Sequence, residues 1–543
     1  GRDMGLRFNF KYDYQFAPQG FENDFFNYLS SIAVSGPMTP GMEYYNNQQN
    51  NVLDVTDPVW YIDAPATEAW LTSNAGRLGI DPMKGYTIFF VNWYNRPDFN
   101  FHLYTNTDSA DPDTGYNHGA NDWFRVTTAW GGNHGRTWFY DLSAGPEDWS
   151  FTENVDNPDL DGDGIEEYRM PPIWEYSAGG YRDPAALGGD LGLIARYVAI
   201  NLLFTSSPLY DPLVTSPEPG GRKVVNNEIF EMDQRGGVNG TDFYDEAFTL
   251  GRLSDLEPYY GWEAGTDLYQ RPDRDTRQAL KIFSGRSLVG GCWQDFGTPF
   301  AQLFCYFDTN YGKYVSAYDP SDYVIPVFTY HTTDRRIGSQ FGLLGFADDN
   351  WVDGTQTYLF VFNTPTYRQF GFGLSAVTVH EVGHHIGISH PHDGYDSEQG
   401  IDYGPGGPFF FAWQGDYSAT IMSYMWVNHG FGQFDQDNLH RYEFAGYLNW
   451  ANAVLADIEA HPDADTVQMY VDAADAAAMT AQRAFKQWDY TAAAANAREA
   501  FEQVSLAAMA LNIDMTMDVQ ALRITPTGAP PKEGDRLRGP NAK

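Results

Sequence analysis

One sixteen-residue stretch constrains this chain more than any other: Ser375-Ala-Val-Thr-Val-His380-Glu381-Val-Gly-His384-His385-Ile-Gly387-Ile-Ser-His390. His380 and His384 stand four apart, so a helix here projects both imidazoles from one face, where they can grip one ion. Glu381 sits beside the first of them, where its carboxylate can reach a water on that ion. Gly387 follows the last helical turn, at a point where a left-handed residue stops a helix and reverses the chain. The reversal brings His390 back as a third ligand.

Three neutral imidazoles leave zinc one open position, the mark of a catalytic and not a structural ion. Such an ion lowers the pKa of its water toward ~7, and Glu381 is placed to accept the proton. His385 follows a ligand but points about 100° away on the helix, which predicts exposure or a hydrogen bond in place of ligation. His392 and Asp393 follow the third ligand and are candidates for supporting contacts. The remaining histidines (His102, His118, His134, His331, His429, His440, His461) show no ligand spacing and read as structural.

The pattern HExxHxxGxxH resembles the signature of the metzincins, a clan of zinc endopeptidases named also for a methionine in a tight turn beneath the metal. Downstream, Ala419-Thr-Ile-Met422-Ser423-Tyr424 matches that turn. By resemblance Met422 is the turn methionine. Tyr424 matches the tyrosine that in astacin-like and serralysin-like members reaches zinc as an extra, movable ligand. Off the metal, a phenol there can donate a hydrogen bond to an oxyanion. Met425 as the turn residue would leave no tyrosine two residues on.

Pro391 is also serralysin-like, but the glycine-rich calcium repeats of serralysins and the latency cysteine of matrixins are both absent. The resemblance spans residues 375–425 and names the clan without a family inside it. It implies an α/β (α+β) catalytic domain with a mixed twisted sheet and an active-site helix. In the clan, a strand just before the site helix forms the cleft edge and pairs with extended substrate. Phe341-Gly-Leu-Leu-Gly-Phe-Ala347 stands at that point, as such an edge or as a buried strand kinked by glycine.

A second metal is suggested by Asp159-Leu-Asp161-Gly-Asp163-Gly164-Ile165-Glu166-Glu167. Alternate carboxylates with Gly in sixth place wrap oxygens around calcium, with the Ile165 carbonyl and Glu167 as later ligands. The twelfth position is Met170 where an EF-hand has Glu, and the alternative is a solvated acidic turn.

The 543 residues exceed one small core and imply several domains or subdomains. A formal charge of −39 disfavours nucleic acid and anionic membrane as partners and suits cation binding. Cys292 and Cys305, the only cysteines, form either a disulfide closing a short loop or two buried thiols. No stretch is long enough to span a membrane; Leu191–Phe204 carries Arg196 and reads as a buried helix. The chain begins at Gly1 without a signal-like run, and reads as a processed, secreted or cell-surface protein.

Along the chain, residues 1–60 read as an extended, aromatic N-terminal segment. Residues 61–461 read as the catalytic domain with large insertions, its upper part ending at 390 and its lower part running from 391. Strands are expected at Tyr86–Trp93, Val324–His331 and Thr357–Asn363, and a helix from Asp437 to about His461. Ala-rich residues 465–513, broken near Trp488-Asp489-Tyr490, predict a two-helix hairpin, read as a small separate module. Residues 526–543 read as a disordered tail.

The expected function is zinc-dependent endopeptidase action on proteins or peptides, with Zn2+ and Ca2+ bound. Two alternatives stand beside it: a calcium-stabilised surface or adhesive protein whose zinc turns over nothing, and a zinc hydrolase of a non-peptide amide. Substrate preference and oligomeric state are not readable from the sequence.

Overall fold

The computed structural model describes residues 11–38, 58–107, 124–127, 129–133, 135–144, 172–177, 183–196, 222–233, 239–266, 269–280, 306–307, 310, 312–314, 322–335, 344–347, 359–365, 373–388, 418–422 and 430–515. The calcium-loop candidates, Cys292, Cys305, His390, His392, Asp393, Tyr424 and the tail at 526–543 lie outside these residues.

The first surprise is a helix in the stretch read as extended, α1 (Gln19–Ile32). Phe21, Phe25, Phe26 and Leu29 recur at helical spacing and are buried. Their interleaving with Asn, Asp and Tyr had hidden the period. Each burial contributes about 2 kcal/mol. The helix covers two small sheets. One orders β1 (Val34–Gly36), β2 (Val59–Asp63), β4 (His102–Thr107) and β5 (Phe124–Thr127); the other orders β3 (Thr87–Val91), β7 (Thr137–Asp141) and β6 (Ala129–Gly131). Between β2 and β3, α2 (Ala64–Asn74) starts on Asp63, whose side chain accepts from Ala66 N at 2.6 Å. Together these elements enclose an aromatic core around Trp93, Trp130, Trp138 and Phe139.

α3 (Leu187–Arg196) begins earlier than the apolar run suggested, and residues 197–204 lie outside the described set. Leu187 and Leu191 are half-buried against the aromatic core, and most of the run read as a buried helix lies outside the described residues.

The larger sheet follows. Its order is β10 (Tyr269–Gln270), β8 (Lys223–Glu231), β11 (Tyr323–His331), β13 (Leu359–Asn363) and β12 (Gly345–Ala347), with β9 (Trp262–Ala264) also on β8. All pairings are parallel except β12 with β13, which is antiparallel. The fold is therefore mixed α/β, and all three expected strands are present: β3 is shorter by one residue at its start and two at its end, β11 starts one residue earlier, and β13 is described from Leu359. β8 is buried at all nine positions, as expected of a parallel strand covered on both faces. Two helices, α4 (Glu246–Leu256) and α5 (Arg274–Leu280), follow β8 in the chain.

On one face of this sheet lies α6 (Leu374–His385), packed on β12, β13 and α4. Ser375 Oγ in its first turn accepts from Asp245 N, the N-cap of α4, at 2.7 Å. The helix expected near Asp437 is α7 (Gln433–Glu459), which starts one turn earlier because Asp435 accepts from Gly432 N at 2.9 Å and caps it.

The hairpin is α8 (Gln468–Lys486) and α9 (Tyr490–Ala510), turned at Trp488 with φ 67° and capped by Asp489. Its alanines, Ala477, Ala481, Ala493 and Ala497 among them, are buried, which lets the helices approach closely. α9 packs along α7, and its Phe501 and Val504 belong to the same core as Val379 and Val382 of α6. No helix among the described residues is long and apolar enough to cross a membrane.

Candidate metal centre

The geometry of α6 follows from its ends. Gly387 has φ 107°, and its N–H donates to His384 O at 3.0 Å while Ile388 N donates to Gly383 O at 2.9 Å. These two bonds are the Schellman arrangement, so the helix stops where the sequence placed the reversal.

Within the helix, His380 and His384 meet. Their ring centroids lie 4.8 Å apart at 83°, and their Nε2 atoms are 3.2 Å apart. Each Nδ1 faces a backbone carbonyl: His380 Nδ1 lies 2.8 Å from Ile421 O, and His384 Nδ1 lies 2.8 Å from Ile388 O. A carbonyl only accepts, so in the neutral rings each Nδ1 carries the proton and each Nε2 presents a lone pair. Two lone pairs facing across 3.2 Å repel unless an electrophile joins them. Tetrahedral zinc with Zn–N of ~2.05 Å sets its ligand nitrogens about 3.3 Å apart. The spacing of these two nitrogens therefore fits zinc, and the Ile421 and Ile388 carbonyls stand where the outer hydrogen bonds of a metal-binding imidazole would fall.

Glu381 is buried beside this pair, and burial pushes its carboxyl well above the usual range. A dication nearby acts in the opposite sense and favours the carboxylate. Its Oε2 is buried with no hydrogen-bond partner among the described residues. The other oxygen lies against the edge strand β12: a Cβ added at Gly345 would stand 2.5 Å from Glu381 Oε1. Any larger residue there forces the Glu381 side chain or the strand to shift.

Met422 is fully buried under α6, with its Sδ 2.6 Å from where a Cβ on Gly383 would be. The glycine between the two histidines thus leaves room for the methionine against the helix. His385 faces the sheet, fully buried, with Nε2 2.8 Å from the Tyr323 hydroxyl; burial lowers its pKa to about 3 and keeps it neutral. Of the two expected fates of His385, the hydrogen bond is the one found.

Other histidines serve the scaffold. His102 bridges Asn100 O at 2.7 Å and Asp141 at 2.9 Å, His440 bridges Leu256 O at 2.8 Å and Thr491 Oγ1 at 2.9 Å, and His331 stands 3.7 Å from Glu231. His461 accepts from Asp463 N at 3.2 Å. His118, His134 and His429 lie outside the described residues.

Among the described residues no three His, Cys, Asp or Glu side chains stand together as a metal site. The structure brings together His380, His384, Glu381 and Met422, with Gly387 ending the helix. Sequence reasoning singled out the segment that holds Gly345 but not its contact with Glu381, and missed the parts of Thr420, Tyr323 and Asp435 and of the Ile388 and Ile421 carbonyls. The paired glycines of Phe341–Ala347 were a signal for the first; backbone oxygens leave none. Comparison of the chain with protein-family models and with curated proteins found no match.

Proposed function

We propose that this protein is a zinc-dependent endopeptidase working at His380, His384 and Glu381. The carrying observation is the pair of Nδ1-anchored imidazoles whose Nε2 atoms face each other at 3.2 Å, with a buried carboxylate on the next residue. His390 completes the ligand set in this reading. When bound, zinc supplies Lewis acidity toward a carbonyl and a water acidic enough to deprotonate near neutral pH.

The remaining work belongs to the chain. Glu381 takes the proton from the attacking water and delivers it to the leaving amine. Among the described residues β12 is the outermost strand of its sheet, and in this reading an extended peptide pairs along it with the scissile bond beside Glu381. Tyr424 donates a hydrogen bond to the oxygen that gains charge, and Met422 shapes the floor. Burial on α6 keeps bulk water from competing for the Glu381 proton.

The same reading takes the protein as exported, with calcium on Asp159, Asp161, Asp163, Ile165 and Glu167 pinning a long loop. The test is zinc content of the purified chain together with cleavage of denatured casein, with and without a chelator. Zinc binding with chelator-sensitive cleavage, lost in Glu381→Gln by several orders of magnitude while zinc is kept, supports the proposal. Full activity in that variant, or zinc without any peptide hydrolysis, overturns it.

A further inference from the structure

The segment Ser418–Met422 carries the carbonyl that orients His380, and the structure shows how that segment is held. Ala419 N donates to Gly131 O at 2.9 Å, and Ser418 bridges Gly131 of β6. Ile421 N donates to Gly430 O at 2.7 Å. These bonds fix the ends of the turn through backbone alone. A side chain adds to them in the middle of the segment, where Thr420 N also donates to Ser418 O at 2.9 Å. Thr420, fully buried, accepts from Met422 N through its Oγ1 at 3.1 Å and donates the same hydroxyl to Asp435 Oδ2.

Asp435 is the third residue of α7 and is fully buried. Its Oδ2 also accepts from Gly432 N at 2.9 Å, while Oδ1 is buried with no hydrogen-bond partner among the described residues. A helix cap alone does not call for an inaccessible carboxylate with one oxygen unsatisfied, because such a group opposes folding. What this carboxylate does reach is the hydroxyl that sets the backbone on either side of Ile421.

We infer that Asp435, acting through the Thr420 hydroxyl, is a positioning residue for the metal site that fixes the Ile421 carbonyl and with it the ring of His380. This rests on the reading of His380 as a zinc ligand. The relay runs from the Asp435 carboxylate to the Thr420 hydroxyl, then to the Met422 amide and the adjoining Ile421 carbonyl, and ends at His380 Nδ1. Without the hydroxyl, the Met422 amide loses its acceptor inside a dry core. The 420–422 backbone then rotates to find another, taking the carbonyl away from the imidazole. The free ring samples orientations in which its Nε2 no longer faces His384.

The test uses the full chain and reads zinc affinity by competition with a chromophoric chelator. Wild type and Thr420→Ser, which keeps the hydroxyl, are expected to bind one zinc with equal affinity. Thr420→Val is expected to weaken it roughly 10- to 100-fold, the range for loss of an outer hydrogen bond at a metal centre. Thr420→Ala stands in if the valine variant does not fold. Asp435→Asn, which keeps an acceptor for Thr420, should bind within a few fold of wild type, and Asp435→Ala should fall with Thr420→Val. Unchanged affinity in the hydroxyl-free variants, or equal affinity of Asp435→Ala and Asp435→Asn, overturns the inference. Wild type that binds no zinc instead removes the metal reading beneath it, an outcome distinct from the other two.

Discussion

Gly345 and Glu381 touch across the gap between the edge strand and the site helix: the absent side chain of one leaves the space occupied by the carboxylate of the other. A methyl group at 345 would stand 2.5 Å from Oε1 and 2.8 Å from Cδ, closer than real contacts allow. The carboxylate must rotate or the strand must retreat. Gly345→Ala is therefore expected to lower peptide hydrolysis about 100-fold, the cost of a misplacement on the order of 1 Å, with zinc content unchanged. Parallel zinc analysis and casein assays check this; wild-type turnover in the variant would show that Glu381 does not need its present position.

Between the two histidines, Gly383 faces Met422. A Cβ there meets Sδ at 2.6 Å and lies 3.1 Å from Phe431. Gly383→Ala overpacks a site with no slack and should destabilise the protein by about 1–3 kcal/mol. Zinc affinity should drop with it, because the methionine and the helix move apart. Urea unfolding with chelator competition reads both; equal stability and equal affinity would remove Met422 from the floor of the site.

Arg136 and Asp437 form a bidentate pair with both side chains buried, at 2.6 and 2.7 Å. Arg136 also donates to the carbonyls of Met83 and Trp488 and lies over the rings of Tyr86, Trp488 and Tyr490. Removing the guanidinium takes the bidentate cation from a buried carboxylate that keeps the Tyr86 hydroxyl at 2.7 Å and the Gln433 amide at 3.1 Å. Arg136→Ala is expected to cost about 3–5 kcal/mol by urea unfolding. A loss under 1 kcal/mol would mean that water reaches Asp437 in the variant.

Asp435 has its pKa raised by burial to about 7, against 3.8 for an exposed aspartate, with the Thr420 and Gly432 hydrogen bonds opposing the shift. In the window from about 4 to 7 the folded state holds a proton that the unfolded state has released. This group's contribution is therefore fully present below pH 4 and is lost as pH rises to 7, by a sum on the order of 4 kcal/mol. Other carboxylates act over the same range, so the informative quantity is the difference between wild type and Asp435→Asn. That difference is expected to move against wild type as pH rises from 4.5 to 7.5; a flat difference in unfolding free energy would show Asp435 titrating normally.

The parts of this site that are legible in the sequence are those encoded by side-chain spacing. His380 and His384, four residues apart, do meet on one helix face, and Gly387 does end that helix with a positive φ. The hairpin was equally plain, because alanine periodicity and the break at Trp488–Tyr490 are local signals. Its docking along α7 was not, since alanine surfaces carry no address. α1 escaped notice because its four apolar residues sit among polar ones in an aromatic-rich stretch. The orienting contacts of the site escaped for a different reason. Ile421 and Ile388 act through their carbonyls, and any residue type has one. Asp435 reads only as a helix cap until the fold brings Thr420 against it.

Arg136 finds Asp437 across 301 residues of chain, and Gly131 finds Ser418 across nearly the same span. Loop closure on that scale comes late in folding, after helices and neighbouring strands have formed. The two imidazoles are lined up by their own helix, while the turn that carries the carbonyl behind His380 is tied at one end to a strand far away in the chain. A fragment cut out around the histidine motif alone would own its ligands and lack the backstop that aims one of them.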